Sequence, residues 1–159
     1  MYSFTHLHLL LNHFPIIVTI LGLLLLAVAM WRNSDSLTRV ALAFFVGGAL
    51  SALPTYLTGE SAEKTARHLP DVTRELIETH SDSAVISAIF VGLLGVFALW
   101  ALWRFRTDVT LPRWVVRVAL VASIIGSGLM SWTGLLGGQI RHTEARPGFV
   151  APAGPEEPE

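Results

Sequence analysis

The sequence has no cysteine and few charged residues. Without cysteine among its 159 residues, the chain has no disulfide, no iron–sulfur cluster, no thiolate metal site and no C-x-x-C-H attachment of haem. Only 14% of the residues are charged and 52% are hydrophobic, whereas soluble domains carry roughly 25% charged residues. This composition indicates a membrane protein, with the lipid bilayer as its surroundings and no nucleic acid among its partners.

Long apolar runs dominate the chain. Each is near the ~20 residues that cross a bilayer core as a helix, and backbone groups in lipid must be satisfied within the helix. The four runs are about Leu9–Met30, Val40–Leu57, Ala84–Trp103 and Val115–Leu136. They predict an all-α, integral membrane four-helix bundle over residues 1–146. The first run lacks a basic n-region and an A-x-A-like cleavage site, so we interpret it as a mature helix rather than a signal peptide.

The segments between and after the spans are polar. The longest connection, about 58–83, predicts an extramembrane loop with a helical part between spans 2 and 3. Pro70 suits the first turn of a helix, so we expect the third helix to begin near Asp71. Residues 147–159 are rich in proline and acid and predict a disordered tail.

Arginine is distributed unevenly between the two sides of the membrane. Four spans place both termini on one side, and the short connections on the other side hold six arginines against two acids. These are Arg32, Arg39, Arg104, Arg106, Arg113 and Arg117, against Asp35 and Asp108. Short arginine-rich loops mark the cytoplasmic face. We therefore expect a bacterial cytoplasmic (inner) membrane protein with both termini on the periplasmic or extracellular side.

Small residues recur at four-residue spacing within the spans. Such pairs allow close helix contact in lipid. The pairs are Gly47 with Ser51, Gly48 with Ala52, Ala88 with Gly92, Ser123 with Ser127, and Gly134 with Gly138. They predict a compact bundle, and they leave the choice between a monomer and a homodimer open.

All six histidines lie on the side that carries the termini. His8 and His13 open the first span, His80 precedes the third, and His142 follows the fourth. Bundles commonly build cofactor and metal sites from side chains on facing helices, so we expect these four to form a site. We expect His6 and His68, which lie near water, to be merely solvated.

Several short motifs resemble a known family. The segments "HLLLNHFPI", "TGESAE", "ETHSDSA" and "TGLLGGQIRHTE" look like the ordered signatures of the bacterial membrane family catalogued as domain of unknown function 2231. By position, the four family histidines match His8, His13, His80 and His142. The chain departs from the family pattern at Leu9, Asn12 and Thr143. Members are often associated with cytochrome-type domains, and this resemblance makes haem plausible.

The leading hypothesis is a small b-type cytochrome that carries one or two haems and transfers electrons, as a membrane oxidoreductase or a component of one. Histidine is an axial ligand of haem iron. We take His13 as the first candidate because it lies deepest in the apolar run, with a partner in His80 or His142. Arg141, Arg67 or Arg74 are candidates for pairing with the haem propionates. A quinol or a soluble redox protein is the expected partner.

Two alternatives stay open at this point. Histidine together with nearby glutamate can bind non-haem iron, copper or zinc, although no Glu-x-x-His pair of the di-iron type occurs in the spans. A transporter or a structural subunit is the other alternative. The middle of the spans contains no Asp, Glu, Lys or Arg, which argues against a transport path across the bilayer.

Overall fold

The computed structural model describes residues 3–151, and this part of the chain is helical with short connections. The helices are α1 (Phe4–Leu11), α2 (Phe14–Trp31), α3 (Asp35–Ala66), α4 (Arg74–Arg104) and α5 (Arg113–Arg141), followed by a 3₁₀ helix, Thr143–Ala145. Four segments are long and apolar enough to cross a membrane: α1 with α2 together, α3, α4 and α5. The predicted all-α membrane bundle is confirmed.

The four spans pack as neighbours around a square. Helix α2 packs against α3 and α5, α4 packs against the same two helices, and α1 lies on α3. Spans 1 and 3 therefore occupy opposite corners. We call the end that carries α1, the α3–α4 connection and the C-terminus of α5 the histidine end. The end that carries the other two connections is the arginine end.

The first span is interrupted between α1 and α2. Residues 12 and 13 form a turn, and α2 begins at Phe14 with Pro15 in its first turn. Proline lacks a backbone N–H, so it is tolerated where the helix has no N–H to pair, but it does not continue the preceding helix. The backbone of Asn12 and His13 nevertheless stays in the right-handed helical region, and helical hydrogen bonds run from the Asn12 N–H to the His8 carbonyl and from the Ile17 N–H to the His13 carbonyl.

The expectation of a long loop between spans 2 and 3 is wrong in its extent. Helix α3 continues to Ala66, and α4 begins at Arg74 after Thr73, whose hydroxyl caps it by accepting from the Leu76 N–H. Pro70 lies in the short connection rather than in the first helical turn. Ion pairs at i,i+4 spacing support both helix ends. They are Glu60–Lys64, Glu63–Arg67 and Arg74–Glu78.

Arg146 marks the end of the bundle at the histidine end. Its guanidinium donates to the carbonyls of Gln139 (2.8 Å) and Ile140 (3.3 Å), and to that of Asp71 (2.7 Å). It thus joins the C-terminus of α5 to the α3–α4 connection. Residues 147–151 have no regular secondary structure, and 152–159 of the predicted disordered tail lie outside the described residues.

The tightest helix contact is between α3 and α4. A Cβ on Gly95 would lie 2.3 Å from the Ala49 Cβ and 3.2 Å from the Phe45 carbonyl oxygen. Among the glycines that the sequence pattern indicated, a Cβ on Gly48 or Gly134 would lie 2.9 Å from a side chain of α2, whereas a Cβ on Gly92 or Gly138 would meet nothing within 4 Å. Small residues do permit close packing here, but only where the helix phase turns them toward a neighbour.

Candidate functional site

The six histidines share one end of the bundle but differ in burial. His8 and His80 are half-buried. The other four are exposed: His6, His13, His68 and His142. Burial therefore separates one pair of histidines from the rest.

The His8 ring reaches from α1 to the backbone of α3. Its Nδ1 lies 3.0 Å from the Thr55 carbonyl oxygen. A carbonyl only accepts, so Nδ1 carries the proton and Nε2 keeps its lone pair. The Thr58 hydroxyl donates to the same carbonyl at 3.0 Å and lies 3.4 Å from Nδ1. The α3 backbone thus fixes both the position and the tautomer of His8.

The His80 ring makes the equivalent contact from α4 to α5. Its Nδ1 donates to the Thr133 carbonyl oxygen at 3.1 Å, so Nε2 again keeps its lone pair. The Thr133 hydroxyl is itself hydrogen-bonded to Ser83 (2.7 Å) and Ser87 (2.8 Å). Ser87 is fully buried, so this hydroxyl cluster lies inside the bundle and ties α4 to α5 beside His80.

The two half-buried rings come from spans 1 and 3, at opposite corners of the bundle. Both rings use Nδ1–H to bind a backbone carbonyl, and each presents an Nε2 lone pair. The arrangement places one potential nitrogen ligand on each of two spans at opposite corners of the bundle.

Next to His8, the inner face of the first span carries polar atoms without protein partners. His8, Asn12, Pro15 and Thr19 follow one helical stripe, and Pro15 and Thr19 are buried. Asn12 Oδ1 and Thr19 Oγ1 are buried and have no hydrogen-bond partner within residues 3–151. Buried polar atoms are nearly always paired with protein, water or a ligand. The bundle interior beside Asn12 and Thr19 therefore suits ordered water, or a bound group that has polar atoms of its own.

His13 does not lie where the sequence suggested. We expected it to be the most deeply buried histidine, but it is exposed. It caps the N-terminus of α2 without a side-chain hydrogen bond. Its position follows from helix phase, because five residues at about 100° each place residue 13 about 140° away from His8 and outside the stripe that holds it.

His142 is also exposed, just beyond α5. Its Nδ1 lies 2.9 Å from a Glu144 carboxylate oxygen. Hydrogen bonds from the Glu144 backbone N–H and from His142 lower the pKa of the Glu144 carboxyl. The pair is a surface interaction, and the structure does not bring His142 into contact with His8 or His80.

The arginines proposed for the propionates are all at the histidine end. Arg141 is exposed at the last residue of α5. Arg67 and Arg74 are paired with Glu63 and Glu78, respectively. Of the three, Arg141 is the one that pairs with no glutamate within residues 3–151.

The described residues offer little for a metal held by protein side chains alone. Within residues 3–151, no group of three or more histidine, aspartate or glutamate side chains is placed to bind one ion. The arrangement instead supplies two nitrogens. It suits a group that already carries most of its own metal ligands.

The residues that hold the rings were not found from the sequence. Thr55 and Thr133 act through their carbonyls, and Gly59 and Gly137 face the rings, since a Cβ on either would lie within 4 Å of His8 or His80, respectively. A backbone carbonyl carries no sequence signal. The equal spacing of Thr and Gly in "TYLTG" and "TGLLG" is the one feature of the sequence that could have indicated these residues.

Fold and site together define a multi-pass helical membrane protein with a pair of oriented histidines at one end. The chain belongs to the family described as predicted membrane protein (DUF2231), whose model matches residues 5–144. This confirms the resemblance seen in the motifs. No curated protein and no solved structure matches the chain.

Proposed function

We propose that this protein is a membrane b-type cytochrome in which His8 and His80 would hold one haem. The observation that carries the proposal is that the two imidazole rings are held by the same kind of hydrogen bond. In both, Nδ1–H donates to a backbone carbonyl, at 3.0 and 3.1 Å. Metal-bound histidines almost always donate their other N–H in this way, which fixes ring orientation and raises ligand basicity.

The number of ligands favours haem over a non-haem metal. The porphyrin supplies four nitrogens, so a haem iron needs only one or two protein ligands. Iron, zinc or copper without a porphyrin generally takes three or more protein ligands, and residues 3–151 present no such group. One pair of half-buried histidines supports one haem. A second haem would have to use exposed residues such as His13 and His142.

One cation at the histidine end suits the acidic part of the cofactor. The exposed Arg141 would be placed to bind a propionate. When bound, haem supplies one-electron redox chemistry. The protein would hold the iron through His8 and His80 and limit the access of water to it.

Electron transfer is the function that such a site serves best. The arginine distribution supports a bacterial cytoplasmic membrane with the histidine end outside the cytoplasm. The partners would then be a quinol or soluble donor and an acceptor on that side.

Ligand variants test the proposal. His8→Ala and His80→Ala should each lose most bound haem, or convert it from six-coordinate low-spin to high-spin, in pyridine haemochrome assays and visible spectra of the purified protein. His13→Ala and His142→Ala serve as matched controls, since both residues are exposed at the same end, and should keep the wild-type spectrum.

The opposite pattern would contradict the ligand assignment. Loss of the low-spin spectrum in His13→Ala, with the spectrum of His8→Ala unchanged, would assign the role of haem ligand to His13 instead of His8. A colourless protein with stoichiometric iron, copper or zinc would favour the non-haem alternative.

A further inference from the structure

The two histidine contacts repeat one local design. In each, a histidine from one span donates to a threonine carbonyl on the next span, and a glycine follows that threonine by four residues. The pairs are Thr55 with Gly59 on α3 and Thr133 with Gly137 on α5. Two successive helical hairpins therefore carry the same Thr-x-x-x-Gly pair opposite a histidine.

Helix geometry explains the glycine. In an α-helix every Cα–Cβ bond is tilted toward the N-terminus, so a side chain covers the turn that precedes it. A side chain four residues after a threonine thus lies over the threonine carbonyl. An incoming imidazole can reach that carbonyl only if the covering residue is very small.

The two hairpins differ in how closely the ring approaches. A Cβ on Gly137 would lie 2.9 Å from Cε1 and 3.2 Å from Nδ1 of His80. A Cβ on Gly59 would lie 3.7 Å from Cε1 and 3.9 Å from Nδ1 of His8. A Cβ on Gly137 would be so close that the His80 ring would have to move. A Cβ on Gly59 would make ordinary van der Waals contacts with the His8 ring.

We propose that the Thr-x-x-x-Gly pair is a histidine-positioning element used twice in this chain, and that Gly137 is the residue that sets the orientation of His80. The proposal deepens the proposed function and rests on it only for the identity of the bound group. Gly137 acts by leaving room for the ring, and the Thr133 carbonyl holds Nδ1–H. The result is a fixed direction for the His80 Nε2.

The test compares two alanine variants at equivalent positions. The full-length protein is labelled with ¹⁵N-histidine and reduced with dithionite, so that a six-coordinate low-spin haem, where bound, is diamagnetic. The wild type should show hydrogen-bonded Nδ1–H signals from both His8 and His80. Gly59→Ala should keep both, and Gly137→Ala should lose the signal of His80. Gly138→Ala, where a Cβ meets nothing within 4 Å, controls for helix perturbation.

A second variant keeps the test decisive if Gly137→Ala does not fold. Gly59→Val extends the side chain further toward the His8 ring, so it should lose the His8 signal that Gly59→Ala retains. A folded Gly137→Ala, or a folded Gly59→Val, that keeps both Nδ1–H signals would overturn the proposal.

The NMR signals test this proposal, and the haem measurements test the proposed function, so the two can fail independently. If the wild type binds haem, Gly137→Ala should also shift its midpoint potential or its low-spin spectrum, and Gly59→Ala should not. If the wild type binds no haem, the haem assignment fails, while the NMR comparison still decides whether the glycines position the rings.

Discussion

At the scale of single residues, the site depends on how each histidine is held more than on how many there are. Six histidines lie at one end, but His8 and His80 alone among them are half-buried and donate Nδ1–H to a backbone carbonyl. A ring nitrogen bound to a carbonyl fixes the tautomer, and a fixed tautomer presents the other nitrogen as a ligand. The exposed histidines lack that combination.

The hydroxyl of Thr133 has a role distinct from that of its carbonyl. Thr133→Val removes the partner of both Ser83 and Ser87 but leaves the carbonyl that binds His80. Hydrogen bonds between membrane helices average about 0.6 kcal/mol, so the loss of two should lower the free energy of unfolding by about 1 kcal/mol. Unfolding in detergent measures this.

Haem content and the His80 Nδ1–H signal should be unchanged in Thr133→Val. Thr107→Val, at an exposed position, is the control for the change from threonine to valine. Loss of the His80 signal in Thr133→Val would show that the hydroxyl cluster, rather than the carbonyl, holds the ring.

At the scale of helices, hydropathy predicted the spans, whereas the contacts between them depend on helix phase. The four apolar runs became four spans, and the stripe His8, Asn12, Pro15 and Thr19 does face inward. The exposure of His13 agrees with the same helix phase, since residue 13 lies about 140° from His8 on a regular helix, whereas its depth in the apolar run suggested burial. The sequence does not tell which carbonyl of a neighbouring helix a ring will reach.

The α3–α4 contact gives a stability prediction with an internal control. Gly95→Ala would place a methyl group 2.3 Å from the Ala49 Cβ, so the helices must separate. Overpacking of this kind costs about 1–3 kcal/mol, and the melting temperature in detergent should fall. Gly92→Ala, one turn away with nothing within 4 Å, should leave it unchanged or slightly raise it.

Equal melting temperatures for the two variants would contradict the close approach of α3 and α4. A fall in Gly92→Ala alone would indicate that the face with Gly92 contacts another molecule, as in a homodimer.

At the scale of the whole molecule, the two ends of the bundle are chemically different. The histidine end carries the paired rings and the i,i+4 ion pairs. The arginine end carries most of the arginines and packs Phe97, Trp100 and Trp114 against one another. Its connections are also tied together, since Asp35 accepts from the Leu111 N–H and Arg39 donates to the Phe105 carbonyl. This difference underlies the proposed orientation.

The absence of native cysteine makes the orientation easy to measure. His68→Cys and Thr107→Cys each place one thiol at an exposed position, at the histidine end and the arginine end, respectively. A membrane-impermeant maleimide should label His68→Cys in spheroplasts and Thr107→Cys only after permeabilisation. The reverse pattern would place the site on the cytoplasmic side.

The most direct test of the central claim is the reduced-minus-oxidised absorption spectrum of the full-length protein purified from membranes. The account predicts a low-spin b-type spectrum, with a Soret band that shifts on reduction by dithionite and haem that acidified acetone extracts. It also predicts that His8→Ala and His80→Ala each remove the low-spin bands. A wild-type protein that shows no Soret band and takes up no added haem, or a low-spin spectrum that survives both substitutions, would contradict it.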